Sequence, residues 1–396
     1  GRPAAGALSA GRSRSAARSP NSRGEAGARE AIPIQPALSF AGFRAGQRVI
    51  IGDQGLTLKA VSVGRNALVC RVMRGGEVTS GRPVNFPHAG AILPSLTRKD
   101  LADLRFGVSR GVGYVALSFV RSARDVLSLR RRLRGTAIGV ISKIETQEAI
   151  RNIAEVIDAS DAILVARGDL AKEVSISQIP ALQKFIIERC NHQAKPVITA
   201  TQMLESMVVN PEPTRAEASD VANAVLDGSD ALMLSGETAT GRHPVEAVRV
   251  MDSVIRNIER ARHYHWIGQR PRLEPEHQID EMIAYLAVAA AESLGAAAII
   301  TFTRSGTTAL RVAKFRPTVP IFAVTSSRAT AGRLAISYGT RCEYVKPVAD
   351  TDSMIAAAVS AALRLGIVRK GDLVAVTAGV PPNVRGKTNL LKLEVV

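Results

Sequence analysis

The sequence is poor in aromatic residues, in cysteine and in long apolar runs. Phe, Trp and Tyr make up only 4% of its 396 residues, so a hydrophobic core must depend on Val, Ile, Leu and Ala. No apolar run reaches the roughly 18 residues that a membrane-spanning helix needs, so we expect no membrane insertion. The three cysteines, Cys70, Cys190 and Cys342, are far apart. We therefore expect neither a disulfide framework nor a Cys-x-x-Cys metal site, and a reducing, cytoplasmic location.

Acidic residues are fewer than basic ones, with 35 Asp and Glu against 52 Lys and Arg and a net charge of +17. A basic excess can indicate nucleic acid, a membrane surface or anionic small molecules as partners. The densest basic run, Arg130-Arg131-Arg132 with Arg134, lies in an amphipathic helical pattern without interleaved aromatic residues. Because stacking platforms for bases need aromatic rings, we interpret this run as a solvated helix face and expect no nucleic-acid partner.

Residues 1–40 lack any apolar period and are rich in Gly, Ala, Ser and Arg. Such a segment buries too little apolar surface to offset its ordering entropy, so we expect a disordered or artefactual N-terminal segment. An Arg- and Ser-rich, acid-poor start is also typical of an organelle transit peptide, which leaves import as an alternative to the cytoplasm.

The remaining chain divides into four parts. Residues 41–90 hold short apolar stretches between Gly-containing turns and predict a small β-barrel-like domain. Residues 91–260 alternate apolar strands with helical patterns, which predicts five βα units around a parallel sheet. Residues 261–278 are interpreted as a linker, and residues 279–396 as a second α/β unit. The predicted fold is α/β: a partial TIM-type (β/α) barrel with an inserted small β-domain and a C-terminal α/β domain.

Charged residues follow one apolar strand of the barrel region, in the motif Ser142-Lys143-Ile144-Glu145. Because successive side chains of a strand face opposite sides, Lys143 and Glu145 should point the same way and Ile144 the other. In a βα barrel the carboxyl ends of the strands carry the chemistry. An ammonium and a carboxylate are therefore expected to share the mouth of the barrel.

The next two strands add further polar groups at the same edge. One ends in Val165-Ala166-Arg167-Gly168-Asp169, where Asp169 supplies a second carboxylate and Gly168 allows a ligand to approach the backbone closely. The other adds the hydroxyl of Thr201. One or two carboxylates with substrate oxygens and waters suit Mg²⁺ or Mn²⁺, and a lysine can stabilise charge that develops during phosphoryl transfer. A salt bridge at the barrel rim is the alternative for Lys143 and Glu145.

Residues 139–251 resemble pyruvate kinase in several long motifs that occur in the family's order. A looser resemblance extends over residues 42–396. The matching stretches are Ser142-Lys143-Ile144-Glu145, Val165-Ala166-Arg167-Gly168-Asp169-Leu170, Ala200-Thr201-Gln202-Met203-Leu204-Glu205-Ser206-Met207, Pro213-Thr214-Arg215-Ala216-Glu217 and Met233-Leu234-Ser235-Gly236-Glu237-Thr238-Ala239.

This resemblance implies transfer of a phosphoryl group from phosphoenolpyruvate to ADP, giving pyruvate and ATP. Lys143 matches the lysine that stabilises the transferring phosphoryl group and the enolate. Glu145 and Asp169 match metal ligands. Gly168, Asp169 and Thr201 match substrate contacts, with Thr201 near the position where the enolate is protonated. The resemblance also implies K⁺ as a second cofactor and a homotetramer.

A second loop follows a predicted strand of the C-terminal domain and precedes a helix. Hydroxyls, glycine and a helix N-terminus suit a phosphate group. In the resembling family, this loop binds a sugar-phosphate or nucleotide effector, and that role is our expectation here. The loop reads Thr303-Arg304-Ser305-Gly306-Thr307-Thr308.

The chain departs from the family's pattern in three places. The first three barrel strands, with an arginine that contacts the phosphoryl group and the ligands of a monovalent cation, are not found in residues 1–40. Asp53-Gln54-Gly55 and Gly81-Arg82 replace paired aspartates and paired lysines of the small domain, which puts its nucleotide contacts in doubt. Gly113 stands where the family usually has Asp. We hypothesise an incomplete gene product whose open barrel would expose apolar interior surface.

Three functional interpretations stay open at this point. The first is a pyruvate kinase, active at least in its complete form. The second is a catalytically impaired subunit with a regulatory or effector-binding role. The third is another Mg²⁺-dependent enzyme acting on phosphoenolpyruvate or pyruvate, against which the small β-domain and the C-terminal domain argue.

Overall fold

The computed structural model describes residues 8–10, 15–16, 31–35, 40, 42–52, 56–87, 94–261, 279–347, 350–380 and 388–396. The predicted linker falls almost entirely on residues 262–278, outside this set, and so does Asp53-Gln54-Gly55. In the part of the chain that is described, no helix combines the length and apolar character needed to cross a membrane.

The small domain is built on a six-stranded sheet with the order β3-β1-β8-β4-β5-β6. Phe40, Phe43 and Phe86 pack edge to face in its core, with ring centroids 5.2 to 5.7 Å apart. A separate two-stranded pair joins β2 and β7. The strands are β1 Leu8–Ala10, β2 Ser15–Ala16, β3 Ile34–Gln35, β4 Arg48–Ile51, β5 Leu56–Val63, β6 Leu68–Arg74, β7 Glu77–Val78 and β8 Pro83–Asn85.

Three of these strands correct the expectation for the N-terminal segment. Strand β1 pairs with β3 and β8, and β2 pairs with β7, so the small domain includes residues before 41. The segment was expected to be disordered or artefactual, and strand pairing at these positions differs from that expectation. The physical reason is that pairing with an existing sheet edge uses main-chain N–H and C=O groups and needs no apolar period. The other residues of 1–30 lie outside the described set.

The barrel region forms a five-stranded parallel sheet with the order β13-β12-β11-β10-β9, as the predicted βα units require. Its strands are β9 Tyr114–Leu117, β10 Gly139–Ile144, β11 Ala162–Ala166, β12 Val197–Ala200 and β13 Ala231–Met233. Its helices are α1 Arg98–Ser109, α2 Ala123–Arg132, α3 Gln147–Arg151, α4 Ile153–Ala159, α5 Arg167–Glu173, α6 Ile179–His192, α7 Arg215–Leu226, α8 Gly236–Ala239 and α9 Pro244–Ala261.

Both faces of this sheet are covered. Helices α2, α4 and α6 pack on one face over Val140, Ile144 and Ile163. The other face, which would line a barrel interior, buries Ile141, Leu164 and Ile198 to between 4 and 8% exposure. The expected exposure of apolar interior surface is therefore wrong at these residues. They are covered by one another and by side chains that pack on them, among them one from the C-terminal domain.

The C-terminal domain is a five-stranded sheet with the order β16-β15-β14-β17-β18, parallel except for β18. Sequence patterning identified β14, β15 and β17, which are apolar and mostly buried, but missed the half-exposed edge strands β16 and β18. The elements are α10 Ile279–Ser293, β14 Ala298–Phe302, α11 Thr307–Lys314, β15 Ile321–Thr325, α12 Arg328–Arg333, β16 Thr340–Tyr344, α13 Thr351–Arg364, β17 Leu373–Ala378 and β18 Leu390–Val395.

A buried ion pair joins the C-terminal domain to the barrel sheet. Arg316 Nη1 lies 2.8 Å from Asp230 Oδ1, and the two side chains are 1% and 6% exposed. Asp230 also accepts the N–H groups of Tyr338 and Val197, each at 3.0 Å. Arg316 donates in addition to Asn191 Oδ1 at 2.6 Å. This contact fixes the C-terminal domain to the start of β12, at the opposite end of the strand from Thr201.

Candidate active site

The parallel register brings the ends of three neighbouring strands to one edge of the barrel sheet. Ile144 of β10 is level with Val165 of β11, and Ala166 of β11 is level with Ala200 of β12. Residues that follow these positions in the chain must therefore lie side by side. The sequence-predicted residues from the three strand ends meet at this edge.

Lys143 and Glu145 lie on the same side of β10, as the alternation of strand side chains requires. Lys143 Nζ is 2.6 Å from Glu145 Oε1, and Ile144 is fully buried on the opposite side. The ammonium also donates to Ser118 Oγ at 3.2 Å. The Lys143 side chain keeps 25% exposure, whereas that of Glu145 has none. An ion pair with one accessible member can present positive charge to an anionic ligand.

Glu145 is a buried carboxylate with polar partners on both of its oxygens. Its Oε2 accepts the N–H of Phe119 at 2.7 Å. Burial is the largest influence on the pKa of Glu145 and raises it above the ordinary value. The Lys143 ammonium opposes that rise, and the nearby negative charge of Asp169 adds to it.

Gly168 and Thr201 are joined directly. The N–H of Gly168 donates to Thr201 Oγ1 at 2.8 Å, and the Thr201 hydroxyl donates to the carbonyl of Ala200 at 2.5 Å. A Cβ added to Gly168 would lie 3.5 Å from Thr201, so the glycine keeps open the space between the two strand ends. Asp169, with 33% of its side chain exposed, pairs with Lys172 at 2.9 Å.

Unusual backbone conformations occur at this edge of the sheet. Phe119, Thr201 and Gln202 have φ values of +53°, +72° and +53°, and they belong to five non-glycine residues with positive φ among those that the structure describes. Such conformations cost about 1–3 kcal/mol each and persist only where surrounding contacts hold them. At Phe119 the strained backbone aims its N–H at Glu145.

The two carboxylates fit a hard divalent cation. Glu145 Oε1 is buried and, apart from its ion pair with Lys143, accepts no hydrogen bond, so it has free lone-pair capacity. Asp169 is partly open to solvent. In the described part of the chain, no group of three or more His, Cys, Asp or Glu could hold a metal by itself. Two carboxylates alone suit Mg²⁺, which usually keeps several waters and takes oxygens from its substrate.

Sequence reasoning missed three side chains that support the site. Ser118 contacts Lys143, and Arg167 donates to the carbonyl of Thr201 at 2.8 Å. Glu237, fully buried, accepts the N–H of Leu204 at 3.1 Å just beyond Thr201. Arg167 could have been noticed, because a charged residue directly after a buried strand needs partners. Ser118 meets Lys143 across 25 residues and Glu237 meets Leu204 across 33, which a local pattern does not show.

The predicted effector loop does not belong to this site, because it lies in the C-terminal domain. Gly306 has a φ of +98° and precedes α11, and its N–H donates to Thr303 Oγ1 at 2.9 Å. Ser305 Oγ and Thr307 Oγ1 are 2.9 Å apart and exposed. Thr308 is buried against Thr388. Arg304 offers its carbonyl to Thr330 Oγ1 at 2.8 Å.

Comparisons with known proteins agree with this architecture. Residues 11–248 match the family described as "Pyruvate kinase, barrel domain", and residues 281–394 match "Pyruvate kinase, alpha/beta domain". The chain is 45% identical over 356 residues to pyruvate kinase of Geobacillus stearothermophilus, covering 89% of this chain and 61% of that protein. It is 45% identical over 363 residues to pyruvate kinase of Clostridium acetobutylicum, covering 90% and 76%. The Dictyostelium discoideum pyruvate kinase is 42% identical over 362 residues, with coverages of 89% and 71%.

Proposed function

Because this chain belongs to the pyruvate kinase family, we propose that its barrel edge carries the site for phosphoryl transfer from phosphoenolpyruvate to ADP, giving pyruvate and ATP. The chain spans about three fifths of the length of the Geobacillus relative. The observation that carries the proposal is the pair of a partly exposed Lys143 with a buried Glu145, with Asp169, Gly168 and Thr201 at the next two strand ends.

The reaction breaks the P–O bond to the enol oxygen of phosphoenolpyruvate and forms a P–O bond to a β-phosphate oxygen of ADP. Negative charge then develops on the enolate oxygen that is left. The Lys143 ammonium, oriented by Glu145 and Ser118, can stabilise this charge without leaving its position. Because phosphoryl transfer depends on positioning and electrostatic stabilisation, one fixed cation is an effective contribution.

Glu145 and Asp169 would hold Mg²⁺ or Mn²⁺. A bound divalent cation draws charge from phosphoryl and carboxylate oxygens and orients the substrate. Lys143, which pairs with Glu145, would add a fixed positive charge to the charge that such a cation supplies. K⁺ is proposed on family grounds, and we assign no residue of this chain to it.

Thr201 is proposed to act where the enolate carbon takes up a proton to become pyruvate. Its hydroxyl donates to the carbonyl of Ala200 and accepts from Gly168, so its orientation is fixed from two sides. A hydroxyl in this arrangement can relay a proton between solvent and substrate. Gly168, which leaves room beside Thr201, would allow the substrate to approach the backbone.

Several partner assignments follow from the family. We propose that the loop at residues 303–308 binds an anionic effector such as a sugar phosphate or nucleotide, supported by its exposed hydroxyls and its place before α11. A homotetramer is proposed for the assembled protein. A reducing cytoplasmic location is supported by Cys70, Cys190 and Cys342, which are all free.

The first test is a lactate-dehydrogenase-coupled assay of the purified chain with phosphoenolpyruvate, ADP, Mg²⁺ and K⁺. We expect activity that falls about 100- to 1,000-fold in Lys143→Met, since one preorganised stabilising group is worth roughly that factor. Lys99→Met is the matched control, because Lys99 lies on α1 with 71% of its side chain exposed. Equal activities of the two variants would contradict the assigned role of Lys143.

The metal assignment is tested separately from turnover. Binding of Mn²⁺ is followed by the relaxation of water protons, with Glu145→Gln and Asp169→Asn compared against the unchanged chain. We expect each substitution to weaken Mn²⁺ binding about 10-fold or more, because each removes one of two charged ligands. Unchanged Mn²⁺ affinity in both variants would show that the cation binds elsewhere.

A further inference from the structure

Two consecutive residues with left-handed backbone form the turn after β12. Thr201 has φ +72° and Gln202 has φ +53°, and both carry side chains that disfavour this region. A turn of this kind relaxes unless contacts around it hold both peptide units. The turn also positions a hydroxyl, since Thr201 Oγ1 accepts the N–H of Gly168 at 2.8 Å.

One side chain contacts both strained residues. The Nη2 group of Arg167 donates to the carbonyl of Thr201 at 2.8 Å and to that of Gln202 at 3.3 Å. It also lies 2.8 Å from Met203 Sδ. The side chain is only 9% exposed. One of the two terminal amino groups of the guanidinium, Nη2, therefore donates to both residues of the turn.

The other terminal amino group anchors the guanidinium. Arg167 Nη1 lies 2.7 Å from Asp220 Oδ2 on α7, and it donates to Gln183 Oε1 on α6 at 3.4 Å. The planar fork of arginine can make both sets of contacts at once, whereas a lysine ammonium on its flexible stem cannot reproduce that geometry. The position thus needs the shape of arginine as well as its charge.

We propose that Arg167 is a positioning residue: its guanidinium holds Thr201 and Gln202 in the left-handed conformation and so fixes the Thr201 hydroxyl against Gly168. The effect on catalysis rests on the proposed function, since it acts through the proton step assigned to Thr201. Arg167 precedes Gly168 in the chain, so the Arg167 side chain and the N–H of Gly168 hold the same turn from neighbouring residues. The Lys143 ammonium is not among its contacts.

The test compares Arg167→Lys with Arg316→Lys in the full chain. Arg316 is a matched control, because it is also a buried arginine paired with an aspartate and lies at the domain contact. For Arg167→Lys we expect kcat to fall 10- to 100-fold, the cost of a small misplacement of a reacting group, with less than a fivefold change in the KM for phosphoenolpyruvate. For Arg316→Lys we expect kcat within twofold at temperatures where the variant is folded.

Thr201→Val shows whether Arg167 acts through the hydroxyl. If it does, adding Arg167→Lys to Thr201→Val lowers kcat by less than threefold further. Hydrogen exchange of the Gly168 amide gives a readout that needs no activity. We expect exchange at least 10-fold faster in Arg167→Lys and unchanged in Arg316→Lys.

Two results would overturn the proposal. One is a kcat of Arg167→Lys within twofold of the unchanged chain. The other is unaltered protection of the Gly168 amide in Arg167→Lys, with stability lowered as in Arg316→Lys, which would mean a purely structural ion pair with Asp220. If the unchanged chain shows no turnover, the phosphoryl-transfer proposal fails, while the exchange measurement still decides whether Arg167 holds the turn.

Discussion

Replacing Asp230 by asparagine removes one charge from the buried pair between the C-terminal domain and the barrel sheet. Asp230 accepts two hydrogen bonds from Arg316 and one N–H each from Tyr338 and Val197, so both oxygens are in use. Asparagine has one oxygen and turns an NH₂ group toward these donors. The guanidinium of Arg316, 1% exposed, is then left without a counter-charge.

The expected cost follows from that burial. Removing one partner of a buried ion pair destabilises a protein by about 3–5 kcal/mol, because the remaining charge stays desolvated. At about 2–4 °C for each kcal/mol in domains of this size, Tm should fall by about 6–20 °C. The measurement is thermal unfolding by calorimetry together with urea unfolding followed by circular dichroism.

The matched control is Asp103→Asn. Asp103 pairs with Lys99 on the surface of α1, where the two side chains are 61% and 71% exposed. Exposed pairs contribute about 0–1 kcal/mol, so this variant should unfold within about 4 °C of the unchanged chain. A combined Arg316→Met and Asp230→Asn variant should recover part of the loss, because no uncompensated charge remains. A loss in Asp230→Asn no larger than in Asp103→Asn would refute the reasoning.

Three further outcomes are expected. Gly139→Ala should lower stability by about 1–3 kcal/mol in urea unfolding, because a Cβ there would overlap the ring of Tyr114, which must move. Gly75→Ala is the control at an open position without a positive φ, and an equal loss of stability in the two variants would contradict this reason. Partial burial raises the pKa of Glu217, but hydrogen bonds from Ser206 and Thr214 outweigh it and hold that pKa below its usual value. The stability that the Glu217 carboxylate contributes is therefore present above the unfolded pKa and is lost as pH falls through the folded pKa. Glu217→Gln should therefore flatten the fall in stability as pH drops below the ordinary glutamate value of 4.5, and an unchanged profile would contradict this. Cys190 is fully buried and burial raises its pKa, so it should react with a thiol reagent only on unfolding.

Local patterns in the sequence predicted the βα alternation and brought forward the residues of the proposed site. The strands β10, β11 and β12 are almost wholly buried, so their apolar runs are unambiguous. Alternation along β10 was enough to place Lys143 and Glu145 on one side. These features depend only on the periodicity of apolar residues and on neighbouring residues in the chain, and both can be read from one sequence.

Tertiary structure alone decided how that site is supported. The left-handed turn at Thr201 and the guanidinium of Arg167 meet across 34 residues, and Phe119 reaches Glu145 across 26. Arg316 finds Asp230 across 86 residues. The sequence pattern also did not predict the half-exposed strands β16 and β18 or the short N-terminal strands. These strands are held by main-chain pairing at a sheet edge, which leaves little trace in the pattern of side chains. Contacts between distant residues depend on how the sheets and helices pack, and a periodicity that repeats every two to four residues carries no information about that packing.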